Sequence, residues 1–110
     1  MKQKLLFICT ENELRSPTAC ELFDGSGGYE AKGAGITEYA EPEINEEAIQ
    51  WADKIICLEE IHKEHLQKNF NEETKNKEII TLHITLQTDH HKHHLQKEIL
   101  AKLKKYGIEP

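Results

Sequence analysis

Arginine is almost missing from this chain: Arg15 stands alone among 14 basic residues, and all the others are lysine. A sequence that meets nearly every need for positive charge with lysine yet keeps one planar guanidinium points to bidentate recognition of an oxyanion, which a lysine point charge does not reproduce. Cysteine is also scarce. Cys9, Cys20 and Cys57 are an odd, widely spaced set, fitting neither a disulfide framework nor a CxxC metal knuckle, so individual thiols in a reducing compartment are expected. Long hydrophobic runs are lacking too. The longest, Leu5 to Cys9, is far short of the roughly 20 residues that span a bilayer. Met1-Lys2-Gln3-Lys4 leads into it without a longer apolar region or a small-residue cleavage site, so neither a signal peptide nor a membrane anchor is expected, and the expected address is the cytoplasm. Positive charge as a whole is short, with 20 acidic residues and a net charge of -6. Such a surface repels a phosphate backbone, so nucleic acid is not an expected partner.

What is present is enough for one hydrophobic core: 110 residues, 37% hydrophobic and 31% charged, expected as a single domain over residues 1–110. Lys4 to Ile8 reads as a buried strand ending at Cys9. Ser16-Pro17-Thr18 opens a helix, because serine caps free amides and proline suits the first turn; Ala19, Leu22 and Phe23 give its apolar stripe, and Gly25 to Gly28 end it. A second strand spans Tyr29 to Ile36, and a second helix begins at Asn45-Glu46-Glu47. Lys54 to Leu58 is a third strand, Glu60 to Lys68 a third helix, and Glu78 to Ile84 a fourth strand. Leu95, Ile99, Leu100 and Leu103 recur at helical spacing in a last helix ending near Gly107. Four apolar strands separated by helices predict an α/β three-layer sandwich, a four-stranded parallel sheet with helices on both faces. Ligands of such sheets bind beyond the carboxyl ends of the strands, where Cys9 lies.

The segment Cys9-Thr10-Glu11-Asn12-Glu13-Leu14-Arg15-Ser16 joins strand to helix. A loop there gathers backbone N–H groups into a concave anion site beside the positive helix end. The expected phosphate-binding residues are Thr10, Glu11, Asn12, Glu13, Leu14 and Ser16. A sulfur at the centre of that nest is favoured as a thiolate able to attack phosphorus. Arg15 would hold two equatorial oxygens of the transition state, Ser16 would donate to the sulfur, and Asn12 would fix the loop's backbone.

These residues resemble the low-molecular-weight protein tyrosine phosphatases. The likeness rests on Leu6-Phe7-Ile8-Cys9, Asn12 and Arg15-Ser16-Pro17-Thr18-Ala19, with Glu21 and Phe23 on the helix. It extends through Lys32-Gly33-Ala34-Gly35-Ile36, then Trp51 to Glu59, His62 and Leu66. It is nearest a shortened branch of the family, the predicted tyrosine phosphatases. The resemblance implies cofactor-free hydrolysis of phosphomonoesters through a cysteinyl-phosphate, with Cys9 as nucleophile and Arg15 as clamp. It implies a phosphotyrosine-containing protein or a small aryl phosphate as substrate, and inorganic phosphate or sulfate as ligands of the loop. The family's general acid, an aspartate just after the fourth strand, has no direct counterpart: Leu86 takes its place, and Asp89 is the nearest aspartate able to protonate the leaving oxygen. His90 and His83 are weaker substitutes. Leu14 replaces a second cysteine found in many members, and Glu11 and Glu13 place carboxylates in the loop. These departures leave a second reading open, a degenerate phosphate- or phosphoprotein-binding module with little or no turnover. Thiol redox chemistry ranks lower, because no resolving cysteine follows Cys57.

Elsewhere, Asp89-His90-His91-Lys92-His93-His94 sets His90 and His94 four apart on one helical face, adequate for adventitious zinc, nickel or copper. It is read as a solvated turn, and no metal site is expected. Trp51 is expected in the core, and Cys20 and Cys57 as packing residues.

Overall fold

The computed structural model of the chain describes residues 2–10, 15–84 and 92–110, the side chains of Lys92 and His93 excepted. Strands β1 (Gln3–Cys9), β2 (Tyr29–Gly35), β3 (Lys54–Cys57) and β4 (Glu78–Thr81) form one parallel sheet in the order β2-β1-β3-β4. Helices α1 (Arg15–Phe23), α2 (Glu46–Trp51), α3 (Glu60–Asn69), α4 (Asn71–Thr74) and α5 (Lys92–Lys104) complete the described elements. This is the expected architecture. Among the described residues no helix is long and apolar enough to cross a membrane.

β1 lies inside the sheet, and from Leu5 to Cys9 every residue of it is buried. A strand covered on both faces must be apolar throughout, which is why it reads as a continuous hydrophobic run rather than an alternation. Its side chains divide between two cores. Leu5, Phe7 and Cys9 meet Ala19 and Phe23 of α1 and Leu95, Ile99 and Leu103 of α5. Leu6 and Ile8 meet Ile49 of α2 and Leu66 of α3 on the other face. Phe23 anchors the first core, its ring 5.9 Å from Phe7 and edge-on to Tyr29 at 5.4 Å.

Local chemistry sets the element ends. Asn45 caps α2 by accepting the Ala48 N–H at 2.9 Å, and Gly25 turns the chain away from α1 with a left-handed φ of 75°. Three expectations need correction. β4 ends at Thr81 rather than Ile84, because His83 adopts a left-handed φ of 58° that no regular strand accommodates. The Leu82 and Ile84 N–H groups nonetheless still reach the Cys57 and Leu58 carbonyls. β2 ends at Gly35 rather than Ile36, and the one-turn helix α4 is an element additional to those expected. Trp51 is only partly buried: Lys32 Nζ sits 4.5 Å over its ring, and with Lys32, Pro42 and Asn45 it lines a surface groove of about 520 Å³.

Phe23→Ala should therefore lower unfolding free energy by about 3–5 kcal/mol, the range for emptying a fully buried aromatic site, as read from urea denaturation. A loss under about 1 kcal/mol would contradict this account of the core.

Candidate active site

β1 feeds β2 on one side through α1, and β2 feeds β3 on the other through α2, so the strand order reverses around β1. The crevice beyond the carboxyl ends of β1 and β3 is the switch point at which open α/β sheets bind ligands. Cys9 is the last residue of β1 and 2% exposed. The end of β2 holds this corner in place: Ile36 N–H donates to the Cys9 and Thr10 carbonyls at 3.1 and 2.9 Å, and Thr37 N–H to the Thr10 carbonyl at 3.2 Å. Tyr39, 81% exposed, stands two residues beyond that tie.

Arg15 opens α1, and its side chain is 4% exposed. A guanidinium so far from water requires counter-charge and acceptors, and it finds both at the ends of three strands. Nη1 donates to Glu59 Oε2 at 2.5 Å and to the Ile84 carbonyl at 2.9 Å. Nη2 makes a longer contact, 3.4 Å, to Thr10 Oγ1. Glu59, 24% exposed, lies just past β3 as the N-cap residue of α3, and Ile84 just past β4. The hydroxyl of Ser16 is fully buried and has no hydrogen-bond partner among the described residues, an unsatisfied donor at the foot of the loop.

His62 completes the arrangement. It is buried in the first turn of α3, where Nδ1 accepts the Glu59 N–H at 3.0 Å and Nε2 lies 3.1 Å from Thr10 Oγ1. With Nδ1 acting as acceptor, the ring proton belongs on Nε2, which donates to threonine. Burial, and then the Arg15 charge, push its pKa down to about 4. Two thiols move the other way: burial raises Cys20 to about 12, helped by Asp24 and Cys9, and raises Cys57 to about 12 despite Lys63.

The structure thus brings Arg15 to Thr10, the residue after Cys9 at the end of β1, and buries Ser16 next to Arg15 in the first turn of α1. Glu11, Asn12, Glu13 and Leu14 lie outside the described residues, as do Leu86, Asp89, His90 and His91. His83 is exposed, with its carbonyl bonded to Lys102 Nζ at 3.1 Å, and His94 is exposed on α5. Among the described residues no group of three or more metal-ligating side chains occurs. Two site residues had no assigned role in the sequence reading, Glu59 and His62. Their signal was position: an acid and an imidazole three apart immediately after a strand end.

No family model and no curated protein matches the chain. Solved structures do. The YwlE arginine phosphatase from Geobacillus stearothermophilus superposes with a TM-score of 0.69 at 20% identity, over 93% of this chain and 86% of that one. SP-PTP, a low molecular weight protein tyrosine phosphatase from Streptococcus pyogenes, gives 0.76 at 13% identity, over 94% and 93%. A low molecular weight protein tyrosine phosphatase from Bacillus subtilis gives 0.70 at 19% identity, over 96% and 100%. The chain has the fold of these phosphatases.

Because the folded value for His62 lies below its ordinary 6.5, the unfolded chain takes up the proton first. The stability His62 contributes is complete above about pH 6.5 and drains away as pH falls toward 4, amounting to about 3 kcal/mol. Urea titrations at pH 7.5 and 4.5 should show His62→Asn losing about 2–3 kcal/mol less than wild type across that interval. Equal losses would acquit His62.

Proposed function

We propose that this protein is a cysteine-dependent phosphatase hydrolysing aryl phosphomonoesters, phosphotyrosine among them, through a cysteinyl-phosphate. The observation that carries the reading is the chain's lone guanidinium, buried next to the strand end that bears Cys9. A fold shared with solved phosphatases supports it. The Cys9 thiolate attacks phosphorus as the ester P–O bond breaks, with Asp89 protonating the departing oxygen. Water then attacks the phosphorus of the thiophosphate, and the P–S bond breaks to return the thiolate and release inorganic phosphate. Arg15 binds two equatorial oxygens in both steps, where charge is greatest in the transition state. Loop amides from Thr10 to Leu14 hold the third oxygen, and Ser16, whose hydroxyl lacks a described partner, donates to the sulfur when it leaves. No cofactor is required. The substrate is a phosphotyrosyl protein or a small aryl phosphate rather than a nucleic acid or a membrane lipid.

A second reading is favoured by the Glu59 carboxylate on the clamp, which competes with a bound dianion: a phosphate-binding module that retains the loop and turns over little. Para-nitrophenyl phosphate separates the two. Turnover by wild type should vanish in Cys9→Ser and fall about 10²–10³-fold in Arg15→Lys, the usual cost of a lost oxyanion donor. Asp89→Asn should slow a phosphotyrosyl peptide about 10²-fold or more while sparing the activated aryl ester. Phosphoarginine belongs in the same panel, since one similar structure is an arginine phosphatase. Equal rates for wild type and Cys9→Ser would end the phosphatase reading, and phosphate binding without turnover would establish the module.

A further inference from the structure

We infer that Glu59 and His62 are positioning residues for the oxyanion site: Glu59 selects the edge of the Arg15 guanidinium that meets the anion, and His62 makes the Thr10 hydroxyl a donor toward it. The inference rests on the phosphate-binding role proposed for Cys9 and Arg15.

A guanidinium carries five N–H bonds on three nitrogens. Both hydrogens of Nη1 are taken, one by Glu59 Oε2 at 2.5 Å and one by the Ile84 carbonyl at 2.9 Å. Among the described residues, what remains for a ligand is the opposite edge, Nε–H with a hydrogen of Nη2, two parallel donors in one plane spaced to hold two oxygens of a tetrahedral anion. Ile84 contributes a neutral carbonyl, whereas Glu59 contributes charge, and charge is what holds a buried guanidinium in one orientation. Remove it, and the plane is free to turn about its own side-chain bonds and present the wrong edge. A shift of that size is expensive in a transition state, which tolerates little misplacement.

The second half concerns hydrogen-bond direction. Glu59 N–H donates to His62 Nδ1, which forces the proton onto Nε2, and Nε2–H then donates to Thr10 Oγ1 at 3.1 Å. Arg15 Nη2 approaches the same oxygen at 3.4 Å. A hydroxyl has two lone pairs and one proton. With both lone pairs facing donors, Thr10 has only its O–H left to offer, and it offers it to an acceptor, either the oxyanion or the neighbouring sulfur. The groups around the imidazole are Arg15, Glu59 and His65, and burial keeps it neutral, so this polarity holds across the neutral range.

Two measurements test the inference. In steady-state hydrolysis of para-nitrophenyl phosphate, Glu59→Gln retains an acceptor and the side-chain volume but not the charge. Its kcat should fall about tenfold while inorganic phosphate, freed of a neighbouring carboxylate, inhibits as well as before or better; Glu59→Asp should recover part of the rate. A parallel loss in kcat and phosphate affinity, or no loss at all, overturns the Glu59 role. Cys9→Ser run alongside tells this failure from a failure of the phosphatase reading, since only the latter leaves Cys9→Ser active. For His62, phosphate titration calorimetry compares His62→Asn, Thr10→Val and the double variant. His62→Asn keeps an acceptor near the Glu59 N–H but falls short of Thr10. Each single change should weaken phosphate about tenfold and the double change no further, because both remove one donor. Additive losses, or wild-type affinity in His62→Asn, overturn the His62 role, and this arm reads whether or not the protein turns over.

Discussion

A guanidinium taken out of water must find its counter-charge and acceptors where it lands, and at Arg15 that demand falls on three separate strand ends. Glu59 answers from β3, the Ile84 carbonyl from β4, and Thr10 from β1. None of these groups is near another in sequence. Each is brought in because parallel pairing aligns the carboxyl ends of the strands, with Leu58 N–H on the Ile8 carbonyl and Ile84 N–H on the Leu58 carbonyl at 3.0 and 2.7 Å. The buried cation therefore reports on the register of the whole sheet. A slip of one residue in β4 would cost the guanidinium an acceptor, and one in β3 would leave its charge unpaired in the interior, an outcome far costlier than any single lost backbone bond.

The same geometry explains why the end of β1 is the candidate place for chemistry. An interior strand is held on both edges and both faces, so its last residue is the best-fixed point at which a loop can begin. Cys9 inherits that fixity. Its carbonyl and that of Thr10 are held from the side by the N–H groups of Ile36 and Thr37, just past β2. Scaffold and site are thus continuous: the packing that buries Leu5, Phe7 and Phe23 also decides where the sulfur stands.

Much of this was legible beforehand, because the features concerned are local or repetitive. The unbroken apolar run before Cys9, the Ser-Pro opening of α1 and the spacing of Leu95, Ile99 and Leu103 each follow from rules that act within a few residues. The solitary arginine stood out by composition. The partnership of Glu59 and His62 with Arg15 did not, since it spans 44 residues or more and depends on strand order, which a single sequence does not display. His83 shows a different failure. The apolar pattern of Ile80, Leu82 and Ile84 continues past the end of β4, yet one residue in the left-handed region stops the strand while leaving two of its hydrogen bonds intact. Trp51 misled through its size, for a large aromatic also serves at a core's margin when a lysine covers its face.

The raised thiols of Cys20 and Cys57 have a practical corollary. Electrophiles such as iodoacetamide combine with the ionised form of sulfur, and two of the three sulfurs in this molecule are kept from ionising near neutrality by their apolar surroundings. Native protein treated with such a reagent should therefore keep both of these thiols unmodified until its fold is opened, so their labelling serves as a clock for unfolding.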